Sequence, residues 1–467
     1  MKQSTVHFVS LGCAKNLVDT EVMAAKLAAE NWGLTPHEED ADTIVVNTCA
    51  FIDPAKDEST QTILEVAVRK RRDQQLIVAG CLAQRFGEQL QALIPEIDGV
   101  IGTGAYAGIA DLLEDVRAGE RPVRLHLDAE PEHDFLPRLI TTPQATAYLK
   151  VAEGCDHPCT FCIIPQLRGR FRSRSEESIL KEAAALADSG AKELILIAQD
   201  TSMWGRDRGY RRGGLAQLLE RLHQIESIEW LRLLYLYPAT VDSELIDAIA
   251  SLPKVCKYVD MPLQHTHPQI LRKMRRPSSG DRYLEIIQGF RSRIPELTVR
   301  STFIVGFPGE TEEHVEHLAE WIDRAELDRV GFFTYSPEDG TPAADIAPQV
   351  PLKEKRRRLI HLREKQRQAS HRARARRVGR TTRVLVEEQR RLRRSDPIRD
   401  HVGRPVVWYG RSMGEAPGVD GGIYFSGEAA VGRFCDVRLE WAGPFDYAGR
   451  AIQPSLTQPP LRLGRES

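Results

Sequence analysis

The chain has 467 residues, 42% of them hydrophobic and 28% charged, and a formal net charge of −2. That make-up excludes a fibrous or low-complexity chain and gives enough length for two or three cores. No apolar run approaches a membrane span and the first residues lack the apolar stretch of a secretory signal, so a cytoplasmic location with no membrane partner is expected.

In such a compartment the eight cysteines are expected to be ligands or free thiols, not disulfides. The first segment alternates short β-branched runs at 6–11, 43–47, 76–79 and 99–101 with helical patterns at 19–30, 57–72, 84–93 and 107–117. Alternation of this kind predicts an open parallel sheet covered by helices. Cys13, Cys49 and Cys81 each fall just past the end of one strand. Ligands collect at that edge of an open α/β sheet, so the three thiols are expected to converge despite their separation in sequence.

A different pattern follows in the central segment. Cys155, Cys159 and Cys162 form a C-x3-C-x2-C run on one short loop. Three thiolates so close can wrap one soft metal centre, and an iron–sulfur cluster held by three leaves one iron open. Zinc is the rival reading, because His157 inside the run would complete a Cys3His set. Further strands are predicted at 147–152, 193–198, 231–236, 258–261, 299–305 and 330–334, with helices such as 176–188, 215–224 and 312–324 between them. Six strand–helix units predict a partial (β/α)6 barrel with its site at the C-terminal strand ends. The cysteine loop, Gln199, Asp200, Gln264, His265 and Gly306 all fall at such ends. His157 reads as a loop residue, and Cys256 and Cys435 as inert buried thiols.

From residue 353 to 383 there are fourteen Lys and Arg against two Glu, a net of +12, which leaves −14 for the remainder. The run reads as a helix, solvated or facing RNA or the ribosome, that leaves the barrel as a linker over 351–379. Short strands at 383–387, 405–409, 422–425 and 433–439 then predict a small β-barrel. The Pro-rich tail, 451–467, is expected to be disordered.

The run from Glu153 through Cys155, Cys159, Phe161 and Cys162 to Pro165 resembles the signature of the radical S-adenosylmethionine (SAM) methylthiotransferases. The stretches Ser10-Leu11-Gly12-Cys13-Ala14-Lys15-Asn16, Val46-Asn47-Thr48-Cys49 and Ala79-Gly80-Cys81 are similar to that family's three N-terminal cysteine motifs. The resemblance implies an N-terminal methylthiotransferase domain (1–120), a radical SAM domain (141–350) and a closing TRAM domain (380–450). It implies two [4Fe–4S] clusters, one on Cys155, Cys159 and Cys162 with SAM chelating the open iron, the other on Cys13, Cys49 and Cys81. The first cluster would split SAM to a 5′-deoxyadenosyl radical, and the second would hold sulfur for insertion. Phe161, Gln199, Gln264, Arg300 and Gly306 are the implied SAM contacts, with Phe161 near the adenine and Arg300 near the carboxylate. An electron donor and a sulfur donor are implied as partners.

Within the family, Cys13-Ala14-Lys15-Asn16, Gln199-Asp200, Tyr235-Leu236-Tyr237-Pro238 and the stretch from Gly414 to Tyr424 resemble the branch that modifies a ribosomal protein. The implied substrate is the β-carbon of an aspartate in small-subunit ribosomal protein S twelve, free or on the ribosome. Residues 384–450 carry ten Arg and ten Asp or Glu, a neutral balance that suits a basic protein partner better than RNA. The transfer-RNA adenosine branch of the same family, and a non-catalytic iron–sulfur or zinc module tethered to the ribosome, are the alternatives.

Overall fold

The computed structural model describes residues 3–127, 137–142 and 145–452. The chain divides into two compact units, Met1–Ala369 and Ser370–Ser467. The first unit opens with a six-stranded parallel sheet made of β1 (Thr5–Ser10), β2 (Gly33–Leu34), β3 (Thr43–Thr48), β4 (Gln75–Ala79), β5 (Gly99–Ile101) and β6 (Val123–Arg124), in the order β2-β1-β3-β4-β5-β6. The β-branched run of β3 is buried on both faces, as a central parallel strand requires. Ile44 and Val46 join one core and Val45 another, because alternate side chains leave the sheet on opposite faces.

Helices α1 (Ala14–Ala29), α2 (Asp53–Arg69), α3 (Gly80–Leu93) and α4 (Ile109–Arg117) cover the sheet. The first three begin four or five residues earlier than the sequence pattern predicts. Cys13 is thereby the N-cap of α1 and Cys81 lies in the first turn of α3. The start signals were not polar caps: Pro54 opens α2 from a position where its missing N–H costs nothing.

The barrel strands are β7 (Thr146–Lys150), then β10 (Glu193–Ile197), β11 (Trp230–Leu233), β12 (Tyr258–Asp260), β13 (Thr298–Val305) and β14 (Arg329–Thr334). Between the first two lie a small ladder, β8 (Ala152–Glu153) antiparallel to β9 (Arg172–Ser173), and helix α5 (Ile164–Arg168). The ladder closes the base of the cysteine loop. The six barrel strands run parallel in chain order, as two ladders of three. A bridge from Leu231 to Val255 and a hydrogen bond from Leu236 N to Asp260 O (2.8 Å) link the two ladders. The helices between them are α6 (Glu176–Asp188), α7 (Gly214–His223), α8 (Ser243–Ser251), α9 (Pro268–Lys273), α10 (Gly280–Arg293) and α11 (Glu312–Ala325). Ser175 caps α6 and Asp242 caps α8, each accepting a backbone N–H of the first turn. Ile163 and Leu167, next to the cysteine loop, join a core of the first sheet and so dock that loop against it.

The basic run forms α12 (Leu352–Ala375), but it does not leave the barrel as a free linker. Leu362 and Ala369 sit in the barrel's core cluster. Lys355 donates to Tyr335 O (2.7 Å), Arg358 to Glu310 (2.9 Å) and Gln366 to Leu327 O (2.9 Å). Charge density hid the apolar positions that spaced this face.

The second unit is a closed barrel of β15 (Thr381–Arg391), β16 (Val406–Arg411), β17 (Ile423–Ser426), β18 (Phe434–Ala442) and β19 (Tyr447–Ala451), with helix α13 (Arg399–Val402). Val384, Val386, Ile423, Phe425, Val437 and Leu439 fill it. The fifth strand is not predicted by the sequence, since its three buried residues, Tyr447, Ala448 and Gly449, are consecutive rather than alternating and its glycine weakens the pattern. It takes Ala451 out of the expected tail; residues 453–467 of that tail lie outside the described residues.

Candidate active site

Cys13, Cys49 and Cys81 converge at the C-terminal edge of the first sheet, with the charge of Cys13 felt at both Cys49 and Cys81. Two asparagines tie their loops together. Asn16 Nδ2 donates to Leu11 O (3.1 Å) and Thr48 O (2.8 Å), and Asn47 Nδ2 donates to Asn16 O and Thr20 Oγ1 (both 2.8 Å). Ser59 Oγ brackets Cys49, accepting from its N–H (3.0 Å) and donating to its carbonyl (2.9 Å). Gly12 must be glycine here: its φ is +88° and an added Cβ would stand 2.8 Å from the Cβ of Cys49. Burial is the largest single influence on the Cys13 thiol and raises it, but Lys15, Arg168 and the backbone N–H groups of Asn16 and Lys15 together outweigh it and the net shift is downward. Burial raises Cys49, and takes Cys81 up to about 12 against the pull of Arg168.

The second trio lies at the end of β7. Burial pushes Cys155 and Cys162 up to about 12, and the charge of neighbouring Cys159 adds to each. Arg276, after α9, places Nη1 3.8 Å from Cys159 Sγ and donates through Nη2 to Pro262 O (2.8 Å). Its guanidinium lies over Tyr237 at 4.3 Å, and His157 stacks on the same ring with centroids 3.8 Å apart. His157 Nε2 lies 2.7 Å from Asp200 Oδ2, so the imidazole that would serve a zinc ion is engaged elsewhere.

A buried ionic cluster runs from the first trio to Glu153, two residues ahead of the second cysteine loop. Arg168, on α5 behind the second trio, donates through Nη1 to Asp19 (2.9 Å) and Glu153 (3.0 Å). Its Nη2 contacts Asn16 Oδ1 and lies 3.7 Å from Cys81 Sγ. Lys150 bonds the same two carboxylates, at 2.6 and 3.0 Å. Sequence reasoning missed Arg168, Lys150, Asp19 and Arg276. No motif marks them: Lys150 and Arg168 share Glu153 nearby in the chain, but Asp19, Asn16, Cys81 and Cys159, which complete the contacts, are more than sixty positions away from their partners.

The residues expected around SAM are placed as follows. Phe161 packs against the cluster of Ile270, Met274, Phe307, Tyr335 and Ala343. Gln199 Nε2 donates to Glu153 (2.5 Å), and its Oε1 is buried with no partner. Gln264 has a left-handed φ of +71° and bridges to β13 beside Phe303. Arg300 is ion-paired with Asp260 at 2.7 Å. Gly306 has a φ of +76° and faces the side chain of Lys355; an added Cβ would stand 2.3 Å from Lys355 Cγ. His265 is fully buried, with its Nε2 3.6 Å from Glu310.

Among the described residues no three His, Cys, Asp or Glu side chains converge tightly enough to share one metal ion. Ligands of a cluster bind separate irons and stand further apart than ligands of one ion. Two trios of soft donors, each with a guanidinium at one of its sulfurs, fit anionic iron–sulfur clusters.

Three family models match in chain order: Uncharacterized protein family UPF0004 over residues 5–102, the Radical SAM superfamily over 149–322 and the TRAM domain over 378–452. The ribosomal protein uS12 methylthiotransferase RimO of Heliobacterium modesticaldum is 44% identical over 96% of this chain and 95% of its own length. The RimO of Desulfitobacterium hafniense is 41% identical over 96% of this chain and 98% of its own. The chain belongs to the RimO family. Radical SAM membership implies a [4Fe–4S] cluster and SAM. Among solved structures the radical SAM methyltransferase TsrM of Kitasatospora setae, with cobalamin and a [4Fe–4S] cluster bound, superposes with a TM-score of 0.56 at 15% identity, over 73% of this chain and 77% of that one. That likeness extends the fold of the RimO family chain to the radical SAM architecture and carries nothing further.

Proposed function

We propose that this chain is a radical SAM methylthiotransferase that inserts a methylthio group at the β-carbon of an aspartate in ribosomal protein uS12. The observation that carries the reading is a cysteine trio at the C-terminal strand ends of each of two parallel sheets, each trio with a guanidinium at one sulfur, in a chain aligned over nearly its whole length with proteins of that name. Cys155, Cys159 and Cys162 would hold one [4Fe–4S] cluster, and Cys13, Cys49 and Cys81 a second. When bound, the clusters and SAM supply a radical able to remove hydrogen from an unactivated carbon, and the sulfur that replaces it.

The chain's own residues orient and shield. Arg168 and Arg276 set hydrogen-bond donors against the sulfur of Cys81 and of Cys159. Gln199, fixed by Glu153, presents an unpaired carbonyl oxygen to the mouth of the barrel, and Phe161 lends an apolar face. Gln264 and Gly306 lie at the strand ends, and Arg300, in the first half of β13, would turn from Asp260 to an incoming carboxylate. An external reductant and an external sulfur source complete the reaction. No helix among the described residues is long and apolar enough to cross a membrane, and we place the enzyme in the cytoplasm with its ribosomal substrate.

The test is an anaerobic assay with reductant, SAM and a uS12 peptide. Alanine at Cys155, Cys159 or Cys162 should abolish formation of 5′-deoxyadenosine. Alanine at Cys13, Cys49 or Cys81 should leave it and end methylthio insertion. An intact methylthio product after the second set of substitutions would overturn the two-cluster reading.

A further inference from the structure

We propose that Lys15 holds the side-chain carboxylate of the target residue and so selects an aspartate over an uncharged side chain. The inference rests on the function proposed above and names the group that the site recognises.

Lys15 follows Cys13 by two residues in the first turn of α1, and only 8% of it is exposed. Its ammonium sits 3.6 Å above the ring of Tyr235, which follows β11 at the C-terminal mouth of the barrel. It therefore stands between the first cysteine trio and the barrel's open edge. Tyr235 is held in a left-handed conformation (φ +61°), and its N–H donates to Asp260 Oδ2 (3.1 Å). Non-glycine residues keep such a backbone where the surroundings enforce it, often at ligand sites.

Among the described residues no carboxylate lies within ion-pair distance of this ammonium. The two nearby carboxylates are taken: Asp19 and Glu153 are both bound by Lys150 and Arg168. Two cations close on two anions there, and the acid left to Lys15 is the Cys13 thiol two residues away. The ring beneath it attracts a cation but supplies no anion. With no carboxylate on its ammonium, and with Cys13 committed to the cluster it would hold, Lys15 keeps donor capacity for an anion that arrives at the barrel mouth.

The chemistry of the reaction says which anion. In an aspartate the carboxylate is bonded directly to the β-carbon. A cation that grips the carboxylate fixes a group one bond from the reacting carbon, beside the trio from which sulfur would be delivered. An asparagine offers the same shape without the charge.

The test is binding of uS12 peptides to the cluster-loaded enzyme, with aspartate or asparagine at the target position, for the wild type, Lys15→Met and Lys15→Arg. Iron content and SAM affinity are measured on each. The wild type should prefer the aspartyl peptide by about tenfold or more, as a charge-assisted contact provides. Lys15→Met should bind both peptides within about twofold, with wild-type iron content and SAM affinity, and Lys15→Arg should keep the preference. An undiminished preference in Lys15→Met overturns the proposal. So does a loss of iron or of SAM affinity, which would assign Lys15 to a cluster or to the cofactor. If the wild type neither binds nor modifies the aspartyl peptide, the proposed function itself fails.

Discussion

Arg168 is the side chain whose removal the fold should feel most. It is 3% exposed and neutralises two carboxylates, Asp19 and Glu153, that are themselves shut away from water. Arg168→Gln should destabilise the protein by about 3 to 5 kcal/mol, since breaking a buried pair leaves an uncompensated charge. The denaturant midpoint of the cluster-free protein measures this without reference to catalysis. Arg168 also shows the limit of sequence reading at this scale. The six cysteines were legible because loop spacing and strand ends are local signals. An arginine whose partners lie 152 and 87 positions away looks, in the sequence, like any other charge beside a glycine.

The helices make two predictions of their own. Helix α11 is opened by Thr311, whose N–H donates to His314 Nδ1 (3.0 Å). Burial, and then the charges of His267 and His265, hold the His314 pKa down to about 4, below its ordinary 6.5. His267 and His317 are lowered for the same leading reason, burial. Glu310 and Glu313 face His314 and pull the other way. Between about pH 6.5 and 4 the unfolded chain binds more protons at His314 than the folded one. The stability that the neutral ring contributes is thus present above 6.5 and is lost as pH falls towards 4. Chemical denaturation across this range should show that loss, and His314→Gln, which keeps a side-chain acceptor at the same position, should flatten it.

Helix α12 sets an exposed position against a buried one. Leu362→Ala should cost about 2 to 5 kcal/mol, because Leu362 is fully buried against the barrel. Ile360→Ala, at a position 69% exposed, should change stability by about 0.5 kcal/mol or less. Equal, small effects would return α12 to the solvated linker that its charge suggests. Apolar residues are sparse in this helix and its buried face includes Lys355, Arg358 and Gln366, so the helical period does not show.

At the scale of the molecule, three architectures follow one another, and each was legible for a different reason. The parallel sheet and the barrel follow from strand–helix alternation, and the closing barrel from short strands between turn residues. The junction of the first two was not legible: Ile163 and Leu167 look like part of the cysteine loop, and only the fold shows them inside the first sheet's core. That junction matters most for function, because it docks the segment that carries one set of sulfur ligands against the sheet that carries the other. Iron analysis after anaerobic reconstitution tests this directly. The wild type should hold about eight irons per chain, and the variant with Cys13, Cys49 and Cys81 all replaced by Ala about four. A wild type that binds only about four irons, or that carries zinc in their place, would contradict the account.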